Sequence, residues 1–206
     1  MKTGFYTLLF LFALGCGKAP KTLLLEGVVT DNSFNVPLSG ATVTLYGVSA
    51  TTNQFSQIGT TTTDAQGYYR FEFERTRTEK YTVKITKPLY FDIENEINNS
   101  ALNLKGATVR NYATTAKSWA EIRILNHNPS NTDHLQYLRQ AGKLNCDECC
   151  TSEIKHFYGA ADTSLYCIND GNSPYRIEYG VYGTNNSGIL EVITAPFDTT
   201  TIYLGY

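Results

Sequence analysis

Tyr68-Tyr69-Arg70-Phe71-Glu72-Phe73-Glu74 (YYRFEFE, residues 68–74) decides the fold class of this chain. Tyr69, Phe71 and Phe73 recur at a spacing of two, with Tyr68, Arg70, Glu72 and Glu74 between them. Successive side chains of an extended strand point to opposite faces, so this pattern predicts a strand with one apolar and one wet face. Residues 81–87 (YTVKITK) repeat it, with Tyr81, Val83 and Ile85 opposing Thr82, Lys84 and Thr86. Upstream, residues 23–30 and 41–48 read as two strands separated by the turn-rich segment 31–40 (DNSFNVPLSG). Residues 60–63 and 102–110 supply two more. The polar stretch 111–118 carries no strong pattern and reads as a linker.

Beyond it, residues 119–125 (WAEIRIL), 176–182 (RIEYGVY), 188–193 (GILEVI) and 200–204 (TTIYL) form a second series of strands. Short strands recurring roughly every 8 to 12 residues predict sandwiches rather than alternating helices and strands. Residues 133–144 (DHLQYLRQAGKL) depart from this: Leu135, Leu138 and Ala141 or Gly142 fall at helical spacing and Asp133 is placed to cap, so the segment reads as either a short helix or a broken strand. Composition agrees with an all-β chain, since Tyr occurs 15 times and Phe 10 times against one Met and one Trp. Lys and Arg together number 17 against 19 Asp and Glu. With no basic stripe in the chain, nucleic acid is not an expected partner.

The N-terminus has its own logic. Phe5 to Leu14 (FYTLLFLFAL) is an apolar run of ten residues after Lys2 and before Gly15-Cys16. Crossing a bilayer takes roughly 20 such residues, so residues 1–15 are expected to be a signal peptide that is removed. Ala13-Leu14-Gly15-Cys16 resembles the bacterial lipobox, with the sizes of Ala13 and Leu14 inverted relative to its usual form. The resemblance implies a lipid on Cys16, a tether over residues 16–21 and a membrane contact made without a spanning segment. Gly17 is not the Asp that retains lipoproteins at the inner membrane in the best-studied Gram-negative systems. The expected location is therefore the outer membrane, with its periplasmic or outer side left open.

Four blocks carry a second resemblance: residues 27–31 (GVVTD), 36–45 (VPLSGATVTL), 62–71 (TTDAQGYYRF) and 81–83 (YTV). In this order and spacing they resemble the carboxypeptidase regulatory-like domain, which implies a transthyretin-like β-sandwich of about seven strands over residues 22–112. Chemistry explains the blocks. Pro37 fixes φ entering a turn, Gly40 is suited to the positive φ leaving it, and Asp64-Ala65-Gln66-Gly67 is a tight hairpin connection. The expected architecture is two β-sandwich domains of immunoglobulin or transthyretin type in tandem, the second over residues 113–206 with a cysteine-containing loop.

Chemistry-bearing residues are few. Cys146, Cys149, Cys150 and Cys167 remain once Cys16 is assigned to the lipid, and in an exported chain they are disulfide candidates. Three pairings are open, of which the one joining neighbours Cys149 and Cys150 is strained. The competing reading is a zinc site using Cys146, Cys149 or Cys150, and Cys167, with His156 in reserve. It lacks a second close cysteine pair, so no metal is expected. His127, His134 and His156 match no metal-ligand spacing; His127 and His134 flank a polar loop (128–133, NPSNTD) and read as solvated. Residues 31–35 (DNSFN) imitate a calcium loop, but Val36 stands where Gly is needed and Thr42 where the bidentate acid belongs. Asp92, Glu94 and Glu96 read as a solvated strand edge, and Tyr179 and Tyr182 as opposite faces of one strand. No nucleophile and base pair appears, so no catalytic residue and no cofactor are expected. The expected function is a non-catalytic, lipid-anchored envelope protein acting as a structural or interaction module. The alternative is a glycan- or peptide-binding lipoprotein using loops of the second domain.

Overall fold

A computed structural model describes residues 22–49, 51–52, 54–76 and 78–206, so the leader, Cys16 and the tether lie outside the described residues. The chain is all-β. Its first lobe contains β1 (Thr22–Asp31), β2 (Val36–Pro37), β3 (Thr42–Ser49), β4 (Phe55–Thr62), β5 (Tyr68–Glu74), β6 (Thr78–Thr86), β7 (Ile93–Asn98), β8 (Ala107–Val109) and β9 (Tyr112–Thr114). One sheet is built around β1, which pairs antiparallel with β2 and β5 and parallel with β8 and β9; the other runs β4-β3-β6-β7. Alternation places the core as expected: Tyr69, Phe71, Phe73, Tyr81, Val83 and Ile85 are buried, and Leu23, Leu25, Val43 and Leu45 meet them from the facing strands. Thr82 is buried as well, although it falls on the face expected to be wet.

The second lobe contains β10 (Lys117–Leu125), β11 (His134–Ala141), β12 (Lys155–Tyr158), β13 (Asp162–Asp170), β14 (Ser173–Val181), β15 (Ser187–Thr194) and β16 (Thr199–Gly205). These form a three-stranded sheet, β13-β10-β16, against a four-stranded one, β12-β11-β14-β15. Its core is a separate cluster that includes Ile122, Ile124, Leu135, Tyr137, Tyr175, Ile177 and Leu204.

Local chemistry forms the turns. The Asp64–Gly67 connection is a tight turn as expected but not a hairpin, because β4 pairs with β3 and β5 with β1, so it carries the chain from one sheet to the other. In it Asp64 Oδ1 accepts hydrogen bonds from the backbone N–H groups of Gln66 and Tyr68, at 2.9 and 2.8 Å. Gly67 adopts φ +72°, and a Cβ there would fall 2.4 Å from the Val29 carbonyl oxygen. Gly27 lets the chain after β8 close on β1, because a Cβ at this position would lie 1.7 Å from the Arg110 carbonyl oxygen.

Several expectations are corrected. The segment 111–118 is not a linker: Tyr112–Thr114 is β9, hydrogen-bonded in parallel to Val29–Asp31, and Ala116 is fully buried. The reason is backbone accounting, since a solvated linker would leave the N–H and C=O groups at that end of β1 unpaired. Even Asn111 joins in, its Oδ1 accepting the Val28 N–H at 3.0 Å. Of the two readings of residues 133–144, the broken strand holds and the helix does not: β11 occupies most of them, broken by an irregularity between Arg139 and Ala141. Leu135 and Tyr137 are buried on one face, so the period of two wins over the accidental helical spacing of Leu135 and Leu138. Of residues 102–110 only Ala107–Val109 is strand, and a short 3-10 turn, Asn99–Ala101, precedes it.

The two lobes interlock through residues 31–35. Buried Asp31 accepts the Ser33 N–H at 2.8 Å and the Tyr90 hydroxyl at 2.8 Å. Ser33 then bridges the lobes, its Oγ accepting the Ala116 N–H at 2.9 Å and its carbonyl accepting from Asn172 Nδ2 at 2.8 Å. Phe197 closes the contact, stacking on Phe34 at 6.0 Å and meeting Tyr90 edge-on at 5.4 Å. The segment that imitates a calcium loop is thus the junction of the molecule. β1 runs toward this junction, and β10 leads away from it to the opposite end of the second lobe.

Candidate functional site

At that distal end, three strands bring four rings together. His134 pairs with Tyr158, and Gln136 with His156, across β11 and β12. Cross-strand partners share a face, so His134, Gln136, His156 and Tyr158 all project from the outer side of the sheet. Tyr182 follows β14, and its N–H donates to the His134 carbonyl at 2.9 Å. The His134 ring is held between the two tyrosines, 4.2 Å from Tyr158 and 4.2 Å from Tyr182, the latter inclined by only 4°. The Tyr182 hydroxyl donates to Gln136 Oε1 at 3.1 Å, which fixes that ring in turn. His134 Nε2 and His156 Nδ1 lie 2.9 Å apart. Tyr158 is 66% exposed and Tyr182 55%, so each offers solvent the ring surface that His134 does not cover.

Two hollows adjoin this stack. One, of about 320 Å³, lies farther along the same sheet face between Gln136, Leu138, Ile154, Glu178, Gly180 and Ser187. The other, of about 370 Å³, lies at the tip and is lined by Asn126, His127, Asn128, Asp133, Thr184 and Tyr206. Asp133 is fixed there by Asn126 Nδ2 and the Ser130 N–H, each donating to Oδ2 at 2.8 Å. Those two hydrogen bonds, Asn126's first, hold its carboxyl below the ordinary aspartate range. Burial pushes the Tyr206 hydroxyl up, with the neighbouring Asp133 charge adding to it.

A third hollow, of about 600 Å³, lies beside the junction between Asn32, Phe91, Asp92, Lys143, Glu148 and Asp170. Two ion pairs stand at it. Lys143 Nζ sits 2.6 Å from Asp170 and 3.9 Å above the Phe91 ring, while Lys117 Nζ meets Glu148 at 2.7 Å. On the outer face of the three-stranded sheet, Glu121 accepts from Ser164 at 2.6 Å, Thr201 at 2.8 Å and Tyr166 at 3.1 Å. The Ser164 bond, then that from Thr201, draws its carboxyl below the usual range.

The residues singled out in the sequence separate as follows. Cys16 lies outside the described residues. Cys146 pairs with Cys149 and Cys150 with Cys167, which occupies all four thiols and stitches the loop after β11 to β13. His127 lines the tip hollow, whereas His134 and His156 meet in the stack. Tyr182 joins them, and Tyr179 on the opposite face packs against the core. Asp92 adjoins β7 and Glu94 and Glu96 lie on it, at the edge of its sheet; Glu96 pairs with Lys80 at 2.5 Å. Among the described residues, no group of three or more His, Cys, Asp and Glu side chains converges to hold a metal ion. Sequence reading missed the His134–His156 pairing because it did not foresee β12. Lys155-His156-Phe157-Tyr158 alternates at a period of two, and that was the available signal.

No family model matches the chain, and no curated protein matches it. Among solved structures, it is similar to the Bacillus anthracis TIE protein at 14% identity and TM-score 0.40, over 90% of this chain and 34% of that one. It is similar to a streptococcal ancillary pilin at 8% identity and TM-score 0.38, over 90% of this chain and 62% of that one. A chlorocatechol 1,2-dioxygenase from Pseudomonas putida aligns over 48% of this chain and 61% of its own, at 14% identity and TM-score 0.34. The chain thus spans less than two thirds of each of these three structures.

Proposed function

We propose that this protein is a non-catalytic module of the bacterial cell envelope, lipid-anchored at Cys16 in the outer membrane, that holds an interaction surface away from the bilayer. In this reading the first lobe is a carboxypeptidase regulatory-like sandwich serving as a spacer, and the second carries the surface. The interlocked junction supports it best. Phe34, Tyr90 and Phe197 pack across the lobes while Ser33 bonds both Ala116 and Asn172, so two sandwiches act as one stiff unit. β1 and β10 together provide up to about 60 Å of strand between the tether and the distal stack. Stiffness over that length is of use to a presenter and irrelevant to a solitary binding pocket.

Fractionation of cells producing the full chain tests the anchor. The protein is expected in the outer-membrane fraction, and C16S is expected to release it; retention of C16S would refute the lipid attachment. A more specific reading is favoured by the exposed faces of Tyr158 and Tyr182, since flat open rings stack on sugar rings and on peptide side chains. Glycan and peptide arrays probed with the intact protein and with a Y158A/Y182A variant test it. Binding that survives the double substitution would show that the stack is not the surface used.

A further inference from the structure

His134 and His156 are 22 residues apart in sequence, yet the β11–β12 register brings their rings to 5.1 Å and their nearest nitrogens to 2.9 Å. We propose that these two imidazoles form a binding site for one divalent transition-metal ion, with Cu(II) the preferred occupant. Neither the lipid anchor nor the presentation of a glycan or peptide enters the argument.

The distance selects the geometry. An imidazole nitrogen binds such an ion at about 2.0–2.1 Å, so two nitrogens at right angles about the metal stand about 2.9 Å apart, and two at a tetrahedral angle about 3.4 Å. The pair therefore matches the adjacent corners of a square or tetragonal site, which Cu(II) and Ni(II) favour. Copper binds a given set of nitrogen ligands most tightly of the divalent first-row ions, which decides between them.

The ring positions are prepared in advance. His134 is clamped between Tyr158 and Tyr182, and Tyr182 is fixed by Gln136, so little side-chain freedom remains to be lost when an ion arrives. His156 is exposed and free to turn its lone pair from the His134 nitrogen toward an ion lying about 1.4 Å to the side of the line between them, as a right angle at the metal requires. Both rings then bind as neutral imidazoles, His134 through Nε2 with its proton on Nδ1, and His156 through Nδ1 with its proton on Nε2. The N–H···N hydrogen bond they otherwise share is exchanged for two metal bonds. No third His, Cys, Asp or Glu closes the site among the described residues, so water or a ligand group fills the other corners.

The test uses the full-length chain in detergent, with any affinity tag removed, titrated with Cu(II) against a competing chelator and followed by electron paramagnetic resonance. The expected result is one ion per chain with superhyperfine splitting from two imidazole nitrogens. H134Q and H156Q should each weaken binding by more than about tenfold, the lower end of what losing even an outer-shell partner costs. H127Q should leave it unchanged. His156 is solvent-exposed, so H156Q keeps the fold and decides the matter if H134Q does not. Copper bound equally by H156Q, a spectrum lacking two nitrogen couplings, or tighter binding of Zn(II) than of Cu(II) would each overturn the assignment.

Discussion

Opening the two disulfides separately should reveal how the cysteine loop is held. The Cys150–Cys167 bridge closes a sequence separation of 17, and the chain entropy it removes from the unfolded state is worth about 3 kcal/mol. The Cys146–Cys149 bridge spans a separation of only 3, for which the same relation gives about 2 kcal/mol. Cys167 is also 1% exposed within the second core, so replacing it with alanine leaves a small void costing about 1 kcal/mol more. C150A/C167A is therefore expected to lose about 4 kcal/mol and C146A/C149A about half of that. The loop offers little compensation, because Leu144 is 71% exposed and Ile154 51%. Urea titrations followed by circular dichroism measure both variants, and a thermal melt should show the first lowered by about 10 °C. Equal losses in the two variants, or less than about 1 kcal/mol in C150A/C167A, would refute the argument that loop length and core burial set the ranking.

Three further outcomes follow from the packing. G27A drives a methyl group to within 1.7 Å of the Arg110 carbonyl and should cost more than about 3 kcal/mol, or prevent β8 from docking; a melt matching that of the wild type would refute the close approach. F197A removes the ring shared by Phe34 and Tyr90 and should cost about 2 kcal/mol, with faster amide exchange at Ser33 and Ala116. Unchanged exchange there would mean that the lobes are held by other contacts. Alkaline unfolding follows from the buried tyrosines. Burial pushes Tyr137 and Tyr175 up to about 12, and burial followed by the Asp31 hydrogen bond does the same for Tyr90. An unfolded chain releases these protons near pH 10 and the folded one does not, so stability is flat below about pH 10 and falls as pH rises toward 12. Tyrosinate absorbance should therefore rise in two stages, the second coinciding with loss of the near-ultraviolet dichroism; ionisation of Tyr90, Tyr137 and Tyr175 in an intact fold would contradict this.

Residues 68–74 and 81–87 were legible because each has one dry face and one mostly wet one, and such a pattern can be satisfied only by a strand at the surface of a sandwich. The turn at Asp64 and Gly67 was equally legible, since a tight turn places local demands that its own residues meet, but the sequence did not show that it crosses between the two sheets instead of joining paired strands. Residues 111–118 were not. β9 has no apolar alternation to show, because it is held by backbone pairing to β1 and by Ala116, and backbone hydrogen bonds leave no trace in side-chain order. The segment 155–170 was overlooked for a related reason: β13 carries a mixed sequence, DTSLYCIND, whose alternation blurs where Thr163, Ser164 and Leu165 are all half-buried.

What the amino-acid order determined by itself was the all-β class, the strands with alternating faces, the tight turn at Asp64 and the availability of four thiols for pairing. Each rests on neighbours within a few residues of one another. Tertiary structure decided which cysteines join, that residues 31–35 bind one lobe to the other, and that His134 lies against His156 between two tyrosines. The Cys150–Cys167 bridge, the His134–His156 contact and the Ser33–Asn172 bond depend on strand register over separations of 17, 22 and 139 residues. Register is settled by the summed burial of whole faces, so no short window of sequence contains it.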